Sequence, residues 1–174
     1  MSAALPLAKA ARLAEKVCEV LAPACMKLQI GGSIRRGKPL VGDIDIIALP
    51  LPGQDKELAR LFHSCAAMGG LKSDGAISKR CLLRKSEFQC DLWIARHASY
   101  DLLAPIPCNW GAMLLTYTGS MHHNIKIVER AKALGKTFRP GWGIIEESGR
   151  VHATTEAEIF AALGWDFVQP EDRH

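Results

Sequence analysis

The 174-residue chain carries 22 lysines and arginines against 18 aspartates and glutamates, a formal net charge of +4. Its hydrophobic content of 48% is enough for one moderate domain or two small ones, each with a packed core. No apolar run approaches the roughly 20 residues that span a bilayer, and charges interrupt the N-terminal segment, so we expect neither a membrane protein nor a secreted one. The expected location is intracellular, or packaged in a virion.

The first predicted element is an amphipathic helix from Leu7 to Leu21. Apolar residues recur there at helical spacing, charged residues occupy the rest of the wheel, and Pro23 ends the pattern. We expect this helix to pack on a sheet.

Residues 31–47, GGSIRRGKPLVGDIDII, combine small residues, two adjacent arginines and two aspartates one residue apart. The stretch from Val41 to Ile47 predicts a strand, and alternation along it places Asp43 and Asp45 on the same face. Two carboxylates about 4 to 5 Å apart repel by roughly 3 to 4 kcal/mol at an effective dielectric constant near 20. This cost favours a bridging divalent cation, and hard oxygen ligands suit Mg²⁺ or Mn²⁺.

A phosphate-binding turn is predicted just before this strand. Gly31, Gly32 and Ser33 follow the apolar run from Met26 to Ile30 and open a turn or short helix whose backbone N–H groups can hold phosphate oxygens. Arg36 adds a guanidinium whose donors match phosphate geometry. The alternative interpretation is an ordinary tight turn with solvated arginines.

After the strand, a helix is predicted from Asp55 to Met68, closed by Gly69-Gly70. Residues 77–84 and 87–94 predict a hairpin around Lys85-Ser86. This register places Cys81 opposite Cys90, the one cysteine pair able to close a disulfide, although reduced thiols are the expected state.

Alternation along the second hairpin strand places Asp91 with Gln89 and Trp93 on the face opposite Phe88, Cys90 and Leu92. We expect Asp91 to emerge on the same open side as Asp43 and Asp45. A third like charge would add to their repulsion, so neutralising Asp91 is predicted to leave the stability of the metal-free protein unchanged or slightly higher.

The C-terminal part follows a proline-containing boundary at residues 97–107. A helix is predicted from Asn109 to Tyr117, and a second begins with Ser120 as its N-cap and runs to Leu134-Gly135. Thr155 and Glu158 form a capping box for the last helix, which stops at Gly164.

The order of these motifs resembles the nucleotidyltransferase superfamily and, in detail, the family X DNA polymerases. The resemblance rests on Gly32-Ser33, Arg35-Arg36-Gly37 and Gly42-Asp43-Ile44-Asp45, then Asp91, Tyr117-Thr118-Gly119-Ser120 and the segment from Thr155 to Pro170. It spans nearly the whole chain, whose length is close to that of the smallest members, which keep only the palm and C-terminal nucleotide-binding domains.

The resemblance implies an α+β fold with a palm domain at residues 1–105, in which helices cover one face of a mixed or antiparallel sheet. A small α+β C-terminal domain would occupy residues 106–174. The implied activity is addition of a deoxynucleoside monophosphate to a DNA 3′-hydroxyl, with two Mg²⁺ ions for which Mn²⁺ could substitute.

The resemblance also implies the site residues and partners. The metal-binding and catalytic residues would be Asp43, Asp45 and Asp91. The nucleotide-binding residues would be Gly32, Ser33, Arg36, Gly42, Tyr117, Gly119 and Asn124. Gapped or primer–template DNA and a deoxynucleoside triphosphate would be bound by a monomer that fills short gaps in DNA repair, with a DNA ligase as a candidate partner.

Two positions depart from the family pattern. Thr116 replaces an aromatic residue found in many members, and Val128 stands where a well-known member has an arginine that supports the templating base. Base selection would then be looser or differently built.

Two other functions stay open at this point. A different nucleotidyltransferase, which moves AMP or another nucleotide onto a small molecule, RNA or protein, would share the first motif and the aspartates. A DNA-gap-binding module without catalysis is the other alternative.

Overall fold

The computed structural model describes residues 4–84, 86, 88–99 and 105–174. The chain forms two compact units, residues 1–94 and residues 95–174. The functional division predicted between residues 105 and 106 stays a prediction. Within the described residues, no helix combines the length and apolar character needed to cross a membrane.

Unit 1 is a five-stranded mixed sheet with helices. Its elements in chain order are β1 (Leu5–Pro6), α1 (Leu7–Leu21), a 3₁₀ turn (Ala22–Ala24), β2 (Cys25–Ile30), α2 (Gly32–Arg35), β3 (Leu40–Val41), β4 (Ile44–Pro50), α3 (Asp55–Cys65), β5 (Ala66–Asp74), β6 (Ser78–Leu83) and β7 (Gln89–Ile94). The strand order is β2-β4-β7-β6-β5, in which β4 and β7 are parallel and the other pairs antiparallel. The predicted mixed sheet is therefore confirmed.

The core of unit 1 lies between this sheet and helices α1 and α3. Buried residues of the core come from α1, α3 and one face of the central strands, and they include Leu21, Phe62, Ile44, Ile46 and Leu92. Helix α1 has the predicted bounds. One face of β4 and β7 is thus committed to the core, and the other is left for polar side chains.

The strand predicted from Val41 to Ile47 is wrong in its first half. Val41 belongs to β3, which pairs with β1, whereas β4 begins at Ile44 and pairs with β2 and β7. Gly42 and Asp43 form the bend in which the chain passes from one sheet to the other. Asp43 therefore precedes the strand instead of standing in it.

The helix predicted to end at Met68 ends at Cys65, and the sequence prediction missed strand β5. Pairing with β6 supplies hydrogen-bond partners to the backbone beyond Cys65 and overrides the helical apolar pattern. Met68 is fully exposed, so it does not extend the apolar face of α3. Gly70 is no helix stop, because its α-carbon faces β6, where a Cβ would lie 2.9 Å from the Leu82 carbonyl oxygen.

The hairpin of β6 and β7 has the predicted register, with Cys81 opposite Cys90. Both cysteines are buried, and both are free thiols. Ser86 lies in the connecting turn, while Lys85 and Glu87 lie outside the described residues.

Unit 2 combines three helices with a small antiparallel sheet. Its elements are α4 (Trp110–Thr118), α5 (Met121–Ala133), β8 (Thr137–Arg139), β9 (Gly143–Ile145), β10 (Val151–His152), α6 (Glu156–Ala162) and a 3₁₀ turn (Pro170–Asp172). The predicted Ser120 cap is confirmed, since the Ser120 hydroxyl accepts a hydrogen bond from the His123 amide at 3.2 Å. The Thr155 hydroxyl likewise accepts from the Glu158 amide at 3.1 Å.

A buried ion pair joins the last turn of the chain to the start of α6. The Arg173 side chain is fully buried and donates to Glu156 Oε1 at 2.6 Å and, from two of its nitrogens, to the Val168 carbonyl. Because water cannot replace these contacts, loss of one partner leaves the other charge buried and uncompensated.

We expect Arg173→Met to lower the free energy of unfolding by about 3 to 5 kcal/mol, since Glu156 would stay buried without its cation. Urea denaturation of the whole chain measures this loss. The double variant Arg173→Met/Glu156→Gln should recover part of it.

The matched control is Arg150→Met, the same change at an exposed arginine. If Arg173→Met costs no more than this control, the ion pair does not hold unit 2 together.

Candidate active site

The candidate site begins with two aspartates on neighbouring strands. In the parallel pairing of β4 with β7, Asp45 is the register partner of Asp91. Because side chains at paired positions project from the same face of a sheet, both carboxylates leave the face opposite Ile44 and Leu92. The predicted juxtaposition of Asp45 and Asp91 is therefore a direct consequence of strand pairing.

The turn before α2 packs against Asp45. The Gly31 amide donates to the Asp45 carbonyl at 2.8 Å, which fixes the turn beside β4. Gly32 has a φ of +56°, and a Cβ built on it would overlap Asp45 Oδ2. A glycine is therefore required here both by the left-handed backbone and by the carboxylate beside it.

The pKa of Asp45 lies far above the usual value of an aspartate. Burial raises the pKa of its carboxyl to about 7, helped by the negative charges of Asp43 and Asp91. A hydrogen bond of 2.9 Å from Trp93 Nε1 to Asp45 Oδ1 and the charge of Arg36 act in the opposite direction. In the absence of a metal, the carboxyl is thus half protonated near neutral pH.

Asp43 lies in the bend before β4 and is half-buried. Burial raises its pKa, and so does the charge of Asp91, whereas Arg80 and Arg36 lower it. The three aspartates therefore share one electrostatic environment, as predicted, although Asp43 reaches it from a bend and not from the strand.

Asp91 lies on the same side of the sheet as Asp45, as expected, but that position is buried and not open. Its side chain is only 4% exposed and accepts two hydrogen bonds from Arg80, Nε to Oδ1 at 2.7 Å and Nη2 to Oδ2 at 2.6 Å. Gln89 Nε2 lies 3.4 Å from both oxygens. Neutralising Asp91 would therefore break an ion pair, so a gain in metal-free stability is no longer expected.

The present arrangement does not form a metal site. Among the described residues, no group of three or more histidine, cysteine, aspartate or glutamate side chains is arranged to hold a metal ion. The chemistry of the three carboxylates suits Mg²⁺, but the guanidinium of Arg80 occupies both oxygens of Asp91. The three predicted ligands are thus close together in space, but Arg80 engages one of them, Asp91.

Two predicted phosphate ligands are near this cluster. Arg36 is the C-cap of α2, and its guanidinium interacts with the charges of both Asp45 and Asp43. The hydroxyl oxygen of Ser33 is buried and makes no hydrogen bond to any of the described residues. Gly42 is exposed, and a Cβ there would meet nothing within 4 Å.

The other predicted nucleotide-binding residues belong to unit 2. Tyr117 is half-buried in the last turn of α4, and Gly119 has a φ of +69° in the turn before α5. Asn124 Nδ2 donates to the Thr116 carbonyl at 2.9 Å, while Asn124 Oδ1 is buried without a partner among the described residues. Val128 is 44% exposed on α5.

Sequence reasoning missed Arg80 and Trp93 as members of the site. The signal for Arg80 was present, because the hairpin register that pairs Cys81 with Cys90 also pairs Arg80 with Asp91. Trp93 shares a face with Asp91 by alternation, but its bond to Asp45 depends on the parallel pairing of β4 and β7, which no local pattern gives.

The raised pKa of Asp45 predicts a pH-dependent stability without metal. A carboxyl whose pKa is higher in the folded than in the unfolded state stabilises the fold fully below about pH 4 and loses that contribution as the pH rises through 7. We expect the free energy of unfolding of Asp45→Asn to rise relative to that of the wild type over this pH range. The rise is up to about 4 kcal/mol, at about 1.4 kcal/mol per pKa unit. Urea denaturation in EDTA between pH 4 and 8 measures the difference.

Asp166→Asn, the same change at an exposed aspartate, serves as the control. A difference between wild type and Asp45→Asn that stays constant with pH would show that Asp45 is not strained.

Comparison with known protein families agrees with the sequence-based resemblance. A family profile described as DNA polymerase beta thumb matches residues 113–174. DNA polymerase lambda of Rattus norvegicus is 28% identical over 159 residues, a match that covers 82% of this chain and 28% of that polymerase. The chain thus spans little more than a quarter of the length of this curated relative.

Solved structures of Leishmania infantum polymerase beta share the fold. Its ternary P/T complex has a TM-score of 0.73 at 20% identity, covering 98% of this chain and 77% of that chain. Its ternary gap complex has a TM-score of 0.74 at 18% identity, covering 98% and 70%. The sequence and fold matches together support a similarity to family X DNA polymerases, and the fold is α+β.

Proposed function

We propose that this protein is a DNA-directed DNA polymerase that adds single deoxynucleotides at short gaps during repair. The observation that carries the proposal is the register pairing of Asp45 with Asp91, with the Gly32-Ser33 turn packed against Asp45. This arrangement sets carboxylates and a phosphate-binding turn side by side, as nucleotidyl transfer requires. The matched relative is a DNA polymerase, and one structure with the same fold is a ternary gap complex of Leishmania infantum polymerase beta.

In the proposed reaction, the primer 3′-oxygen forms a bond to the α-phosphorus of a deoxynucleoside triphosphate. The bond between that phosphorus and the leaving pyrophosphate breaks, and the hydroxyl proton passes to the Asp91 carboxylate or to water. Asp91 would orient the 3′-hydroxyl. The buried Ser33 hydroxyl and the Arg36 guanidinium would bind triphosphate oxygens, with backbone groups of Gly32 and Gly42.

Divalent cations are the proposed cofactor, Mg²⁺ with Mn²⁺ as a substitute. Asp43 and Asp45 would hold both ions, whose charge would offset the burial and the repulsion that raise the pKa of both carboxyls. Asp91 would join them as a ligand only when Arg80 has left its oxygens.

For unit 2 we propose contacts to the nucleotide. Tyr117 and the backbone at Gly119 would pack against the sugar, and Asn124 would contact the base edge. The partnerless Oδ1 of Asn124 supports this role, because a buried acceptor without a hydrogen bond is costly unless a ligand satisfies it. The palm and C-terminal functional domains, the monomeric state and a DNA ligase partner also remain proposals.

The function is tested by extension of a primer on DNA with a one-nucleotide gap, with each nucleotide singly, in Mg²⁺ and in Mn²⁺. We expect the nucleotide complementary to the template to be added, and Asp45→Asn to reduce incorporation by several orders of magnitude. Transfer of AMP to another acceptor without extension would favour a different nucleotidyltransferase. Gap binding without any turnover would favour the non-catalytic module.

The contact between Gly32 and Asp45 gives a second test. We expect Gly32→Ala to reduce nucleotide incorporation by about 100-fold, because the added Cβ would displace the Asp45 carboxylate and misplacement of about 1 Å has an effect of that order.

Gly37→Ala is the matched control. Gly37 has a similar φ of +67°, but a Cβ there would meet nothing within 4 Å. Both variants carry the strain of a positive φ, and only Gly32→Ala adds the clash with Asp45, so equal activity in the two would remove the steric role of Gly32.

A further inference from the structure

The guanidinium of Arg80 donates hydrogen bonds to both carboxylate oxygens of Asp91, the atoms that a metal ion would bind. Its two donors take one oxygen each, at 2.7 and 2.6 Å, so that both oxygens of the carboxylate are engaged. A divalent ion bound to Asp91 would have to replace at least one of these hydrogen bonds. The charges of Arg80 and of the cation would also repel each other.

We propose that Arg80 and the divalent cation compete for Asp91, so that Arg80 sets the metal affinity of the site. The inference rests on the proposed function, because it assumes that the three aspartates bind a metal. Arg80 would be a positioning residue: it neutralises and aligns Asp91 while the site lacks a metal, then yields the carboxylate.

The exposures of the two side chains favour an exchange over a permanent pair. The Arg80 side chain is 46% exposed, whereas that of Asp91 is 4% exposed. Opening of the pair returns Arg80 to water but leaves the Asp91 charge buried, so the pair opens readily only when another cation replaces Arg80. When it opens, Arg80 can reach solvent while Asp91 stays in the site.

There is also space for the released guanidinium. Arg80 and Asp91 line a cavity of about 220 Å³ together with Ser73, Ser78, Lys79 and Trp93. The cavity is open, and its two serine residues offer hydroxyl acceptors for guanidinium N–H groups.

The neighbouring cations do not have this relation to Asp91. Lys79 is buried and engaged by Asp74 and by the Gly75 carbonyl. The charge of Arg36 acts on Asp43 and Asp45. Among the cations that the structure describes, Arg80 is therefore the one whose removal should free both Asp91 oxygens.

The test is Mn²⁺ binding to the whole chain without DNA or nucleotide, measured by the electron paramagnetic resonance signal of free Mn²⁺. We expect Arg80→Gln to lower the Kd by about tenfold, the scale of one charge-assisted ion pair. Arg12→Gln, the same change at an exposed arginine of α1, should change it by less than about twofold.

Arg80→Lys separates competition through hydrogen bonds from simple charge repulsion. Lysine keeps the charge but cannot donate two parallel bonds, so competition predicts a Kd below that of the wild type. In an Asp91→Asn background, Arg80→Gln should have little effect. Circular dichroism checks that each variant is folded.

Three outcomes would overturn the proposal. An unchanged or raised Kd in Arg80→Gln, with binding still abolished by Asp45→Asn, would refute the competition while leaving the proposed metal site intact. A Kd for Arg80→Lys equal to that of the wild type would show that Arg80 acts on metal binding only through its charge and not through its hydrogen bonds to Asp91. No Mn²⁺ binding in any variant would refute both the competition and the metal site of the proposed function.

Discussion

The parallel pairing of β4 with β7 is the constraint on which the candidate site depends. Two consecutive strands can pair as a hairpin, but a parallel pair needs a crossover, here supplied by α3, β5 and β6. The same register sets Ile44 beside Cys90 and Asp45 beside Asp91. Each strand thereby presents an apolar face to the core and an acidic face to the site, so that one set of backbone hydrogen bonds positions both.

The acidic face is held together by charges of both signs. Burial and mutual repulsion disfavour the ionised forms of Asp43 and Asp45, and the guanidiniums of Arg36 and Arg80 favour them. Asp91 differs from the other two because it has a direct, two-donor partner. The metal-free protein therefore balances its carboxylates unequally, with the least compensated charge at Asp45.

How much could be predicted from sequence depends on the range of the interaction. Local signals were reliable: α1, the Ser120 and Thr155 caps and the register of the β6–β7 hairpin follow from residues close in sequence. Strand β5 was missed because its pairing with β6 overrides an apolar pattern that continues from α3.

The candidate site shows the same limit. The alternation of side chains correctly predicted that Asp91 and Trp93 share one face of their strand. The order of the motifs predicted that Asp45 and Asp91 lie close together, but it does not give their geometry. The break at Asp43 could not be seen, because the chain changes sheets there. The hairpin register is sufficient to predict that Arg80 lies opposite Asp91, but an arginine is not among the expected carboxylate ligands.

The paired cysteines beneath this site have a chemical consequence of their own. Burial raises the pKa of Cys81 to about 12 and that of Cys90 well above its usual range. At neutral pH only about one Cys81 in 10⁵ is a thiolate, the form that alkylating agents attack. Because both side chains are buried in the core of unit 1, their modification requires local opening of that core, and its rate measures how often the opening occurs beside the strand that carries Asp91.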